Sequence, residues 1–185
     1  MFDKFFCNPP RQRSADALYM SAVEQARQPA FYSNMGVPDT VDGRFDMIAL
    51  HVFLILRRLK KGDDQTQATA QALFDTMFTD MDRGLRELGA GDLGVARRVK
   101  VMAKAFYGRV SAYDQGLQTG GSDLADAVVR NIFRGDENDR DHAKLVAAYI
   151  RNQAEELELQ AVEAMLEGNV VFLPVDRTPE EKAAS

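Results

Sequence analysis

Carboxylates and guanidinium groups crowd one stretch of this chain, residues 74–113, which reads FDTMFTDMDRGLRELGAGDLGVARRVKVMAKAFYGRVSAY. Asp82 and Arg86 stand four apart, as do Arg83 and Glu87, so each pair can meet across one helical turn. Such surface pairs contribute about 0.2–0.5 kcal/mol and perform no reaction. Asp80 and Asp82 are two apart and face different directions on a helix, so they are not a paired acid and base. Arg97, Arg98, Lys100, Lys104 and Arg109 follow with no acid between Leu93 and Tyr113. Two explanations stand side by side. This basic helix faces a phosphate-rich or acidic partner, or it packs on Glu155, Glu156, Glu158, Glu163 and Glu167, a stretch that has no base. Few aromatics interleave with the basic residues, so sequence-specific nucleic-acid reading is not expected.

The other chemical motifs fail on spacing or context. Gly89-Ala90-Gly91-Asp92-Leu93-Gly94 matches GxGxxG, but a helical pattern precedes it where a dinucleotide site needs a strand. It reads as a helix–helix turn. Asp136-Glu137-Asn138-Asp139-Arg140-Asp141 resembles the start of a calcium loop, yet Arg140 holds the fifth position and no glycine holds the sixth. His51 and His142 belong to no zinc or haem motif, and Cys7 is the single cysteine. His51 lies in the most apolar run and reads as a satisfied core residue. No Ser-His-Asp or Cys-His arrangement is present in the sequence pattern. No enzyme, cofactor or metal is expected.

The elements that position these groups follow from periodicity. The chain has 185 residues, 45% hydrophobic and 28% charged, with net charge -5. That suits one globular domain and argues against whole-molecule attraction to polyanions. Ser14 is expected to cap a first helix ending before Pro29, after an N-terminal arm over 1–13. Residues 47–56 are apolar except His51, too short to span a bilayer, and should form the central buried helix. Asp63 or Asp64 caps the next helix, on which Leu73, Met77, Met81 and Leu85 recur at helical steps, and Gly89 ends it. The basic helix starts near Asp92, with Gly116 to Gly121 as a loop, and Gly108 is expected to permit close helix packing. Ser122 caps a fifth helix. A long last helix runs from about Asp139 to Glu167, then Val170-Val171-Phe172-Leu173-Pro174 is extended. The fold expected is all-α, a single domain of about six main helices over 14–175, with a disordered tail over 176–185. Phe2, Phe5 and Phe6 in the arm are expected to pack on the core or to touch a membrane surface.

The hairpin residues resemble the ubiquinol-cytochrome c chaperone family. The resemblance is carried by Met81-Asp82-Arg83, Leu85-Arg86-Glu87, Gly89, Gly91-Asp92, Val95, Lys100, Met102, Phe106-Tyr107-Gly108-Arg109 and Ala112-Tyr113. A second piece is Gly36-Val37-Pro38-Asp39-Thr40 with Gly43-Arg44-Phe45 and Leu50-His51. The resemblance implies a non-enzymatic chaperone that holds newly synthesised cytochrome b during assembly of the bc1 complex. It implies a partner site on Asp82, Arg83, Arg86, Asp92, Arg97, Lys100, Lys104, Tyr107 and Arg109. Without a long N-terminal extension the chain looks like the bacterial form, so it is expected in the cytoplasm, working peripherally at the inner membrane. Ribosome contact is known for the mitochondrial relatives and stays open for this chain. Two alternatives remain. A pocket gathering Asp82, Arg86, Tyr107 and Arg109 would make this a small-molecule-binding or catalytic α-domain, and opposite charged faces alone would make it a bridging scaffold.

Overall fold

The apolar run from Met47 to Leu56 becomes the middle of α3 (Val41–Leu59), and the other long helices gather around it. Thr40 caps this helix by accepting a hydrogen bond from the Gly43 amide, and Arg57 and Arg58 sit at its negative C-terminal end. The structure is a computed structural model that describes residues 10–87, 89 and 91–175, without the side chain of Leu93. Within these residues the chain is all-α. Around α3 lie α1 (Pro10–Ala26), the five-residue α2 (Pro29–Ser33), α4 (Asp64–Glu87), α5 (Asp92–Thr119), α6 (Asp123–Asn131), α7 (Arg140–Leu159) and the short α8 (Val162–Leu166). Six of these are long, as the periodicity predicts. Residues 1–9 of the expected arm, with Phe2, Phe5, Phe6 and Cys7, and the tail over 176–185 lie outside the described residues.

Several boundaries differ from expectation, each for a local reason. α1 already includes Pro10, inside the segment assigned to the arm, so Ser14 is not its cap. Ser14 is buried, and its hydroxyl donates to the Leu166 carbonyl at 2.6 Å, tying α1 to α8. Pro29 does not merely stop α1. It opens α2, where its missing N–H costs nothing. Residues 116–119 are helical rather than looped, because Gly116 lets α5 run past α6 in close contact. A Cβ at Gly116 would stand 2.7 Å from Leu124 Cα.

The last helix does not run unbroken to Glu167. It stops at Leu159, and Gln160 and Ala161 are extended before α8. Gln160 turns its amide to the chain end, accepting from the Val171 amide at 3.0 Å and donating to its carbonyl at 2.6 Å. The fully buried Gln153 does the same for Leu173, at 3.0 and 2.9 Å. Two glutamine side chains thus replace the neighbouring strand that an extended segment would otherwise require.

His51 is the satisfied core residue that its setting predicts. It has no exposed surface, its Nδ1–H donates to the Met47 carbonyl at 2.7 Å, and its Nε2 accepts from the Tyr149 hydroxyl at 2.8 Å. Gln25 donates to Tyr149 in turn, at 3.0 Å. Burial pushes the imidazole pKa down to about 4.

Candidate partner-binding site

Residues 64–119 fold as the expected helical hairpin, α4 and α5 joined through Gly89 and Gly91. Asp63 caps α4, its carboxylate accepting from the Thr66 amide and hydroxyl at 3.0 and 2.7 Å. Gly89 takes φ of 83° at the other end, a conformation suited to glycine. Gly89 and Gly91 of the GxGxxG run therefore lie between two helices, its last three positions already belong to α5, and no strand approaches it among the described residues.

Three predicted residues form a clasp across this turn. Arg86 pairs with Asp82 one turn away, Nε to carboxylate 2.6 Å, and also with Asp92 at the start of α5. Arg83 pairs with Asp80 rather than with Glu87. Asp80 also accepts from Tyr19 of α1 at 2.8 Å, so Arg83 faces α1 and not the basic helix.

Arg109 differs from the other candidates in kind. Its guanidinium is 2.6 Å from the carboxylate of Asp46, whose side chain has no exposed surface, and Arg134 approaches the same carboxylate at 2.6 Å. Arg109 also lies 5.5 Å from the ring centre of Phe45. Burial raises the Asp46 pKa, and the two guanidinium groups oppose that rise by favouring the anion. Arg134 reaches Asp46 from a left-handed backbone position, φ 57°, just past the end of α6. This ion cluster fixes α3, α5 and the α6–α7 turn to one another. Asp46 and Arg134 carry no motif, but a carboxylate inside the most apolar helix demands a cation, and that was a legible signal.

Arg97, Arg98, Lys100 and Lys104 are exposed and form no ion pair among the described residues. The acidic helix does not cover them. Its Glu158 instead pairs with Arg57 at 3.0 Å and Lys61 at 2.9 Å, at the far end of α3. Of the four, Arg97 and Arg98 border an open cleft of about 870 Å³, and Lys100 and Lys104 do not line it. Phe45, Leu85, Met102 and Ala105 contribute apolar surface to it, and Val41 and Val101 stand at its edges, 75% and 63% exposed. Met102 is half-buried beside this opening, whereas Met77 is wholly in the core.

Tyr107 opens on a different cleft, of about 410 Å³, on the other flank of α5. Its ring lies 5.4 Å from that of Phe74, above buried Phe53 and Phe106. Of the polar groups there, Arg57 and Asp114 are 3.3 Å apart and pair with each other, Lys60 lies 3.8 Å from Asp114, and Gln67 and Gln71 complete the lining. Tyr107 and Arg109 therefore do not converge, and the Asp82–Arg86 pair borders neither cleft. The gathering of four residues that a small-molecule site requires does not occur. No group of three His, Cys, Asp or Glu residues suited to a metal ion is present among the described residues. No helix among them is long and apolar enough to cross a membrane.

Comparison with known proteins finds relatives over most of this chain. The family model described as ubiquinol-cytochrome C chaperone matches residues 33–172. Ubiquinol-cytochrome-c reductase complex assembly factor 1 of Xenopus laevis is 25% identical over 159 residues, 85% of this chain and 80% of the relative. The mitochondrial protein CBP3 of Saccharomyces cerevisiae is 28% identical over 148 residues, 78% of this chain but only 44% of the yeast protein. The crystal structure of the Cbp3 homolog from Brucella abortus superimposes with a TM-score of 0.82 at 38% identity, covering 91% of this chain and 93% of that one.

Proposed function

We propose that this chain, which belongs to the ubiquinol-cytochrome c chaperone family, is a non-enzymatic assembly chaperone that holds newly synthesised cytochrome b at the α4–α5 hairpin. The matching family is described as ubiquinol-cytochrome C chaperone, and the Xenopus laevis relative is named an assembly factor of the ubiquinol-cytochrome-c reductase complex, which supports the process. The observation that carries the site is Arg97 and Arg98 of α5, free of ion pairs among the described residues and bordering an open apolar cleft. A folded domain ordinarily buries such apolar surface, and a chaperone leaves it open for a client. Met102 adds an adaptable, polarizable side chain to that surface. Because cytochrome b is a membrane protein, the chaperone works beside the inner membrane, where its client emerges from the ribosome.

Two measurements test this. A deletion strain should lose bc1 activity and the cytochrome b absorbance while soluble metabolism continues. A photo-crosslinking residue in place of Val101 should capture newly made cytochrome b, and the same residue at Leu145, exposed on α7, should not. Normal cytochrome b in the deletion strain would remove the assignment.

A further inference from the structure

The cleft beside α5 narrows the chemistry of what can lie in it. Asp42 and Asp46 border it, and so do Arg97, Arg98, Arg109 and Arg134, an excess of two positive charges (four less two). Asp46 is fully buried and taken up by Arg109 and Arg134, and Arg109 is itself only 14% exposed. An occupant therefore meets Arg97, Arg98, the half-exposed Arg134 and the exposed Asp42, set around Val41, Val101, Phe45 and Met102.

We propose that this cleft receives an amphipathic α-helix of the partner protein, its apolar stripe seated between Val41 and Val101 and its flanking carboxylates on Arg97, Arg98 and Arg134. The proposal rests on the hairpin being the client site and specifies the segment it takes. Three features select this occupant. The described residues form no strand, so they present no sheet edge for an extended peptide to join, and the apolar cleft is walled by helices, the setting of helix-in-groove recognition. The positive excess at the rim is complementary to carboxylates and repels a basic helix. The apolar surface is recessed, with Phe45 only partly exposed below Val41 and Val101, so a flat bilayer would touch the edges and leave the floor open.

Fluorescent model helices of about 18 residues, five turns long, test the proposal on the full chain. Two peptides share one leucine stripe and differ in carrying glutamates or lysines beside it. Anisotropy should show saturable binding of the glutamate peptide and none of the lysine peptide. Arg98→Glu and Val101→Lys should each weaken binding by about tenfold or more, with unchanged melting curves because both side chains are exposed. Lys60→Glu, the same charge change about 28 Å along α3 from Val41, should leave binding intact. Equal binding of both peptides, or of neither, overturns the proposal. So does Val101-dependent binding to vesicles of phosphatidylcholine and phosphatidylglycerol without peptide binding, which makes the surface a membrane face. A dimer lost in Arg98→Glu makes a second copy the occupant and also overturns it. Each of these results leaves the deletion phenotype untouched, so a failure here is distinguishable from a failure of the assembly role.

Discussion

α3 and α5 meet at the Arg109–Asp46 and Phe53–Tyr113 contacts and use their residues in opposite ways. α3 buries eleven of its nineteen residues, charged Asp46 and neutral His51 among them. From Phe78 to Ala105, across the end of α4 and the first half of α5, Val95 is the one buried side chain among the described residues. The first region obtains its stability from packing. The second is held by short ion pairs at its turn and by the Arg109–Asp46 contact at its base. A site for a varied client belongs in the second region, since a side chain can be exposed there without opening the core.

The Asp46 cluster is where the two regions join, so breaking it should have the largest effect. Asp46→Ala leaves Arg109 and Arg134 facing a buried site without their carboxylate. Loss of one partner from a buried ion cluster costs about 3–5 kcal/mol, which denaturant unfolding would register. If the variant unfolds at the same denaturant concentration as the parent, the junction is held by apolar contacts alone. Substitution of Arg109 should likewise damage the fold, so Arg109 cannot be used as a clean probe of partner binding.

The core side of the comparison can be sharpened with pH. His51 is neutral when folded, with a pKa near 4 in place of the usual 6.5. Between those values the unfolded chain binds a proton that the folded chain excludes. Stability from this group is complete above pH 6.5, falls as pH drops, and is reduced by about 3 kcal/mol at pH 4. His51→Leu should flatten that acid limb relative to the parent while lowering stability at neutral pH. An acid limb of unchanged slope would show that His51 is not the group responsible.

Two glycines on α5 set the regions against each other within one helix. Gly116 faces the backbone of Leu124 on α6, and Gly116→Ala should lower stability by about 1–3 kcal/mol through overpacking. Gly108 has nothing within 4 Å of the added methyl position, so the close packing expected there is absent. Gly108→Ala should raise stability by about 1 kcal/mol through helix propensity. Opposite signs in paired melting curves are the expected result, and equal signs would contradict the packing described.

The contrast explains which features were legible in the sequence. Apolar spacing announced α1, α4 and α5, and an unbroken apolar run announced α3 and placed His51 in the core, because helical spacing and hydropathy are local properties. Asp63 and Gly89 acted as the punctuation their types predict. Ser14 misled because a serine also satisfies a buried carbonyl in mid-helix, here that of Leu166, and only the tertiary contact decides. The close approach at Gly116 and the openness at Gly108 depend on where α6 lies, which no spacing along α5 reveals. The same limit applied to the site. Charge along α5 marked Arg97, Lys100 and Lys104, but the division of Tyr107 and Arg109 between separate clefts follows from helix rotation against α3 and α4.

The smallest expected effect on stability is also the sharpest test of the open region. Lys100 and Lys104 share a helical face, are exposed, and pair with no acid among the described residues. Reversing both to glutamate should change stability by less than about 0.5 kcal/mol, as for ordinary surface positions. Association with the client should nevertheless slow, because the attracting field is lost, and dissociation should change less. Screening acts over about 8 Å at 0.15 M ionic strength, so the parent's association rate should fall steeply with added salt and the variant's should not. A melting curve that drops by several degrees would mean that these lysines are packed against the protein after all. Unchanged stability with unchanged association would instead show that the client does not approach the Lys100–Lys104 face, leaving Arg97 and Arg98 at the cleft as the charges that attract it.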